Sequence, residues 1–287
     1  VLVDAAWMVD HLDDPSVVLL EVDDRPALNH RGHLPGAQLL DWARDLQDPV
    51  RRDLPTPEAI ASLWRRVGVR ATSTVVFYGD LHNWLAAYGC WLFRAYGLAD
   101  VRLLDGGRGS WIAQALPLTT RPPDPADEGP VPVPRLDPTV RATRAQVVDA
   151  ARHGALLDVR TPQEYVGEWL TEPEYPGEAA HRPGHIPAAR NLPWDAMITP
   201  DGLVRPEDEL ESLFAGAGVT RDRPLVLYCR VGERSAHTWL LLHDLLGYRN
   251  ATNYEGSWTE RGSMTGMPIQ LGPDPGHLPD LAGPTPW

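Results

Sequence analysis

Cys229 closes a short apolar run, Leu225-Val226-Leu227-Tyr228, and opens the stretch Cys229-Arg230-Val231-Gly232-Glu233-Arg234-Ser235. A helical pattern follows over 237–246 and stops at Gly247. A strand ending in a cysteine, then a tight loop and a helix start, gives a nucleophile a specific electrostatic setting. The backbone N–H groups of Val231, Gly232 and Glu233 converge on one point, and the positive end of the helix dipole adds to them. Arg230 and Arg234 bring permanent cations to the same loop. Such surroundings lower a thiol pKa below its free value of about 8.5, so that thiolate is present near neutral pH. A lone cysteine is more often a small buried hydrophobe. The strand–loop–helix setting, with two arginines close behind, points instead to a working nucleophile that also holds an anion.

The rest of the composition narrows the chemistry. The chain has 287 residues, room for two domains of ordinary size. With 43% hydrophobic and 23% charged residues it reads as a globular protein, and no apolar run is long enough to span a membrane. A net charge of −13 argues against nucleic acid or an anionic membrane as partner. All 26 basic residues are arginine, which removes lysine Schiff-base chemistry. Cys90 and Cys229 can form at most one disulfide, and no signal pattern opens the chain at Val1; both predict a reducing, cytoplasmic setting. Neither the histidines nor the cysteine spacing suggests a metal, and no cofactor is expected.

The elements that position Cys229 come in two copies, about 150 residues apart. Gly32-His33-Leu34-Pro35 answers Gly184-His185-Ile186-Pro187, and Leu19-Leu20-Glu21-Val22-Asp23 answers Leu156-Leu157-Asp158-Val159-Arg160. Val75-Val76-Phe77-Tyr78-Gly79-Asp80 answers Leu225-Val226-Leu227-Tyr228-Cys229-Arg230, so Gly79 stands where the second copy has its cysteine. Leu104-Asp105-Gly106-Gly107 answers Tyr254-Glu255-Gly256-Ser257. Matched segments in one order indicate duplication. Within the first copy, 5–11, 57–67 and 86–96 read as helices, and 17–22, 74–78 and 101–104 as strands. Short apolar strands alternating with helices predict an α/β fold in each copy, a mostly parallel sheet with helices on both faces. The expected domains are 1–116 and 139–272, joined by a proline-rich extended linker over 117–138. A Pro/Gly-rich tail over 273–287 is expected to be disordered unless Trp287 anchors it.

On these motifs the chain resembles the tandem-domain rhodanese family of thiosulfate sulfurtransferases, from about Trp7 to Ile269. The resemblance implies two rhodanese-like domains, the first inactive at Gly79 and the second catalytic through Cys229. It implies double displacement: the thiolate takes the outer sulfur of thiosulfate, sulfite leaves, and a persulfide passes its sulfur to a thiophile such as cyanide. Donor and acceptor are small molecules, with a sulfur-carrier or thiol protein as an alternative acceptor. Arg160 matches an oxyanion-contacting arginine, Arg182 one at the pocket mouth of mercaptopyruvate-using relatives, and Arg230 a further substrate contact, while Arg234 closes the loop and either binds substrate or pairs with a carboxylate beneath it. For Arg160 the competing role is an ion pair with Asp158 or Glu164; for Arg230, simple exposure to solvent.

The departures bear on the donor. Mercaptopyruvate-using relatives carry Gly and then Ser after the cysteine, where this chain has Arg230 and Val231, so the proton-relay hydroxyl is missing and thiosulfate is favoured. Many thiosulfate enzymes carry Lys at Val231, a loss Arg234 would offset. Glu233 is unfavourable beside an anion unless it points away or pairs with an arginine. The rivals are 3-mercaptopyruvate sulfurtransfer, a persulfide relay protein feeding a biosynthetic partner, and a cysteine phosphatase. The last needs five residues between cysteine and arginine, whereas four separate Cys229 from Arg234. Cys90 reads as core, and His33 and His185 as turn-fixing hydrogen-bond partners.

Overall fold

The computed structural model describes residues 1–279 except 26, 28, 125–128, 154 and 174–178, so Trp287 and the end of the tail lie outside the described residues. The chain divides into two compact units, Val1–Asp137 with Thr199–Val204, and Pro138–Ile198 with Arg205–Trp287. Each is an α/β fold around an all-parallel sheet.

In the first unit the strands are β1 (Leu2–Val3), β2 (Val17–Asp23), β3 (Gln38–Asp41), β4 (Thr74–Gly79) and β5 (Val101–Leu104), in sheet order β1-β5-β4-β2-β3. The helices are α1 (Ala5–Asp10), α2 (Trp42–Asp45), α3 (Pro57–Arg66), α4 (Trp84–Ala95) and α5 (Gly107–Ala113). β4 is the central β-branched and aromatic run, covered on both faces as parallel strands are, and almost wholly buried. α3 starts where the sequence is built to start a helix, with Thr56 capping Ala59 N–H and Pro57 in the first turn. Cys90 lies on α4, fully buried, with Sγ 3.4 Å from the Arg102 carbonyl.

The second unit holds β6 (Ala155–Asp158), β7 (Arg190–Asn191), β8 (Leu225–Tyr228) and β9 (Ala251–Asn253), ordered β7-β6-β8-β9. Its helices are α6 (Arg144–His153), α7 (Pro162–Val166), α8 (Glu207–Gly216), α9 (Glu233–Trp239) and α10 (Ser257–Arg261). In-register pairing of Leu157 and Asp158 with Leu227 and Tyr228 brings the carboxyl ends of β6 and β8 side by side. α7 is short but fully punctuated: Thr161 and Glu164 form a capping box, Pro162 opens the helix, and Gly167 ends it at φ 90°. Val226, Tyr228, Tyr165, Ile186, Tyr254 and Trp258 pack the core on one side of this sheet.

Two sequence expectations change, at the helix after Cys229 and at the tail. The helix after Cys229 starts at Glu233, earlier than the pattern at 237 suggested, and relaxes into a π-helix over Leu240–Leu245. Gly232, left-handed at φ 98°, is what lets the chain turn into a helix so soon. The proline-rich segment is tied to the first unit, with Arg135 and Asp137 N–H donating to the Tyr96 and Ala95 carbonyls. The described start of the tail is likewise docked: Ala188 N–H donates to Pro275 O at 2.6 Å and Leu278 packs on the second core. No helix among the described residues is long and apolar enough to cross a membrane.

Candidate active site around Cys229

Cys229 sits one residue past β8, and the chain around it is held from below. Its N–H donates to Ser257 Oγ at 3.1 Å, and its carbonyl accepts from Trp258 N–H at 3.0 Å. The Arg230 carbonyl accepts from the N–H and the hydroxyl of Thr259, both at 2.9 Å. Asn253 Nδ2 donates to the Gly232 carbonyl at 3.1 Å. Gly232 cannot be another residue: a Cβ there would lie 2.8 Å from Glu255 Cα in a left-handed backbone. The Glu255–Trp258 segment is therefore the platform on which the loop is cast.

The sulfur is fully buried and ringed by polar groups. Gly232 N–H donates to Sγ at 3.1 Å, and Ser235 contributes its hydroxyl at 3.6 Å together with its backbone N–H. Glu233 Oε2 stands 3.3 Å from Sγ and also accepts the Val231 N–H at 3.3 Å. Of the loop donors expected to cradle an anion, Gly232 meets the sulfur, whereas Val231 is engaged by the Glu233 carboxylate.

Arg160 and Arg234 take the ion-pair arrangements weighed as their alternatives, and the exposure weighed for Arg230 is corrected. Arg230 is buried rather than facing solvent, with Nη2 3.0 Å from Glu233 Oε1. Arg234 is fully buried and directed at Glu164, whose oxygens lie 2.8 and 3.1 Å from its terminal nitrogens, and at Glu172, 3.1 Å away. Arg160 is also fully buried, held by Asp158 with Nη2 to Oδ2 at 2.5 Å, donating to the Gly184 carbonyl at 2.8 Å and lying over the Trp258 ring at 4.7 Å. Its Nη1 has no hydrogen-bond partner among the described residues. Arg182, expected at a pocket mouth, is half-buried with Nε, Nη1 and Nη2 donating to the carbonyls of Gly262, Met267 and Met264, so its guanidinium is engaged by the 261–267 turn. His185 pairs its backbone with Gln270 and its Nδ1 with the Tyr165 carbonyl, a turn-fixing arrangement.

These pairings reverse the expected titration of the thiol. Burial pushes the Cys229 pKa up, the Glu233 carboxylate pushes it further, and Arg234 and Ser235 only partly oppose them. Burial also acts to raise Glu233, but Arg230 and Arg234 outweigh it and hold the carboxyl below its usual range. For Glu164, too, burial is outweighed, and Arg234 keeps the carboxyl at about 2. Both shifts favour the proton on sulfur and the negative charge on the carboxylate. A net cationic trap was expected; the structure instead pairs Arg160, Arg230 and Arg234 each with a carboxylate.

The residues that the sequence reading passed over are Ser235, Asn253, Ser257 and Glu172. Ser235 Oγ donates to Asn253 Oδ1 at 2.7 Å, which fixes the hydroxyl 3.6 Å from Sγ. The Thr161-x-x-Glu164 capping box was a readable signal for α7, and with it for the carboxylate that receives Arg234. Among the described residues, no cluster of His, Cys, Asp and Glu is arranged to hold a metal.

The rhodanese-like domain family matches the chain twice, over residues 4–114 and 143–261. The chain belongs to the rhodanese family. The Thermus thermophilus protein named "Sulfur carrier protein TtuD" is 47% identical over 277 residues, 95% of this chain and 97% of its own. A Mycobacterium bovis protein named "Putative thiosulfate sulfurtransferase 1" is 44% identical over 273 residues, 95% of this chain and 98% of its own. The fold of this rhodanese also matches the anaerobic ergothioneine biosynthesis enzyme from Chlorobium limicola, with a TM-score of 0.80 at 24% identity, covering 94% of this chain and 70% of that one.

Proposed function

We propose that this rhodanese moves sulfane sulfur from thiosulfate to a thiophilic acceptor, cyanide in an assay, through a persulfide on Cys229. The observation that carries this is Sγ of Cys229 at a strand–helix turn, receiving the Gly232 N–H at 3.1 Å beside the Ser235 hydroxyl. The Gly232 and Ser235 N–H groups face the atom on which negative charge develops, and they do so in a water-excluded site where such contacts are strongest. A phosphatase reading finds no support, because Arg234 is committed to Glu164 and Glu172 and does not cap a phosphate-sized loop.

A second reading, a persulfide relay, has its own support. Arg160, Arg230 and Arg234 each hold a carboxylate, so the site offers no excess of positive charge to a dianion. A persulfide of lower charge, on a small thiol or a protein, suits such a site better, and one relative is named as a sulfur carrier. Intact-mass measurement separates the readings: the protein is incubated with thiosulfate, with 3-mercaptopyruvate, or with a low-molecular-weight persulfide. A gain of one sulfur from thiosulfate, absent in Cys229→Ser, is the expected result. Loading by the persulfide alone shifts the assignment to a relay, and faster loading by mercaptopyruvate shifts the donor.

A further inference from the structure

A carboxylate pressed against a nucleophilic sulfur is a liability unless the two exchange a proton. Glu233 is fully buried, with one oxygen 3.3 Å from Cys229 Sγ and the other 3.0 Å from Arg230 Nη2. As the first residue of α9 it also sits at the positive end of that helix, which stabilises its charge. A residue needed only to complement the helix end would gain more by reaching water. Here the carboxylate is turned inward, and Arg230 fixes its orientation.

We propose that Glu233 is the proton acceptor of the reaction, holding the Cys229 proton for as long as sulfur resides on the cysteine. The inference rests on Cys229 being the persulfide-forming residue. In the loading step the thiol proton passes to Glu233 Oε2, and the sulfur lone pair attacks the sulfane sulfur of the donor. The Sγ–S bond forms, the donor S–S bond breaks, and its electron pair leaves on sulfite, so thiolate plus thiosulfate dianion give persulfide anion plus sulfite dianion. When a thiophile removes the outer sulfur, Cys229 leaves as thiolate and recovers its proton from Glu233. No oxidant or reductant enters, and the buried site carries the same total charge in its resting and sulfur-loaded states: the charge lost at the carboxylate is the charge carried by sulfur. That constancy is what a closed pocket of paired ions requires, since any uncompensated charge in it is costly.

The raised thiol and lowered carboxyl fit the resting state this scheme needs, with the proton on sulfur until a donor arrives. They also make the test discriminating, because a bystander carboxylate and a proton acceptor act in opposite directions. Were Glu233 only a neighbouring charge, Glu233→Gln would lower the thiol pKa and speed sulfur loading at neutral pH. As the proton acceptor, its loss slows single-turnover loading from thiosulfate at pH 7 by about 10²-fold. The residual rate then climbs with pH as bulk solvent takes the proton, and Glu233→Asp restores part of the neutral-pH rate.

Infrared difference spectra of the wild type, sulfur-loaded minus resting, read the same proton without a substitution. A carbonyl stretch of a protonated carboxyl must appear on loading. Loading in Glu233→Gln as fast as wild type at pH 7, or no such band in the loaded wild type, overturns the proposal. A wild-type protein that gains no sulfur from thiosulfate or a persulfide overturns the persulfide reading and this one together.

Discussion

In the first half Glu21 on β2 holds Arg108 from α5; in the second, Asp158 on β6 holds Arg160 two residues further along the chain. Both guanidiniums lie over the tyrosine of the neighbouring strand, Tyr78 or Tyr228, each 5.7 Å from the ring centre. Both donate to the glycine carbonyl that opens the Gly-His turn, Gly32 or Gly184. Both tyrosine hydroxyls accept the N–H two residues on, Leu34 or Ile186, at 3.1 Å. Both turn histidines bridge antiparallel to the chain that leaves the fold, at Thr119 or Gln270. The network thus persists in the half whose loop has Gly79 in place of the cysteine, built from an arginine at a different position. A device kept at a loop with no nucleophile serves the turn and the sheet, and in the second half Arg160 holds the β6 end in the same way.

The loops diverge where the chemistry does. In the first half Asn83, the counterpart of Glu233, turns its side chain onto its own loop: Oδ1 accepts Gly79 N–H at 2.9 Å and Nδ2 donates to the Leu104 carbonyl at 2.6 Å. Leu81, His82 and Asn83 all have positive φ, at 50°, 53° and 70°, so this loop is wound shut on its backbone. The sharpest break of the comparison is therefore a pair of substitutions. Cys229→Ala is expected to abolish sulfur gain in intact-mass assays, with no loading left to measure. Gly79→Cys is expected to create no second site, because a Cβ at Gly79 would meet the Val22 carbonyl oxygen at 2.6 Å. Forcing it in costs about 1–3 kcal/mol of stability, and a sulfur-loaded Gly79→Cys/Cys229→Ala protein would refute the idea that the first loop is closed to chemistry.

Next in size is the shared ion pair. Arg108→Met and Arg160→Met each strand a buried carboxylate and are expected to cost about 3–5 kcal/mol in denaturant unfolding. Arg160→Lys separates structure from substrate. If Arg160 only positions β6, the lysine variant loses stability while the KM for thiosulfate stays near wild type in the folded protein. A distinct rise in KM with stability retained would return Arg160 to the anion site through its unpartnered Nη1.

Much of this architecture was legible because duplication shows in the sequence: the GH[IL]P turns, the strand ends at Tyr78 and Tyr228, and the cysteine present in one copy only. The strand at 101–104 and the helix ends near 57 and 95 followed from β-branched runs and caps, which are local signals. What stayed hidden was pairing. Nothing in the local pattern says that Arg234 reaches back to Glu164 and Glu172, since that depends on how β6 and β8 bring α7 and α9 together. Counting arginines in the Cys229 loop left out what they pair with: Arg230 meets Glu233 inside the loop, and Arg234 meets Glu164 and Glu172 from elsewhere in the chain. The Arg108-for-Arg160 exchange was equally invisible, because one site draws its cation from a helix and the other from a strand end.

The smallest effect tests whether the halves also differ in how protons bear on their stability. Asp23 in the first half occupies the place of Arg160. Burial pushes its pKa up, Asp80 adds to this, and the Arg25 N–H only partly opposes it, leaving the group at about 7. A carboxyl raised above its unfolded value binds a proton more readily in the native state. Its stabilisation is present at low pH and is lost as pH rises from about 4 towards 7, with a slope of at most about 1.4 kcal/mol per pH unit. Glu164 in the second half runs the other way. Held at about 2 by Arg234 against the pull of burial, it contributes stability above its unfolded pKa that is lost as pH falls towards 2. Hydrogen exchange measured separately for β4 and β8 amides between pH 4 and 8, corrected for intrinsic rates, should show protection falling in the first half and holding in the second. Asp23→Asn should flatten the first-half trend without touching the second. A trend that survives that substitution would place the proton elsewhere in the first half and remove Asp23 as its cause.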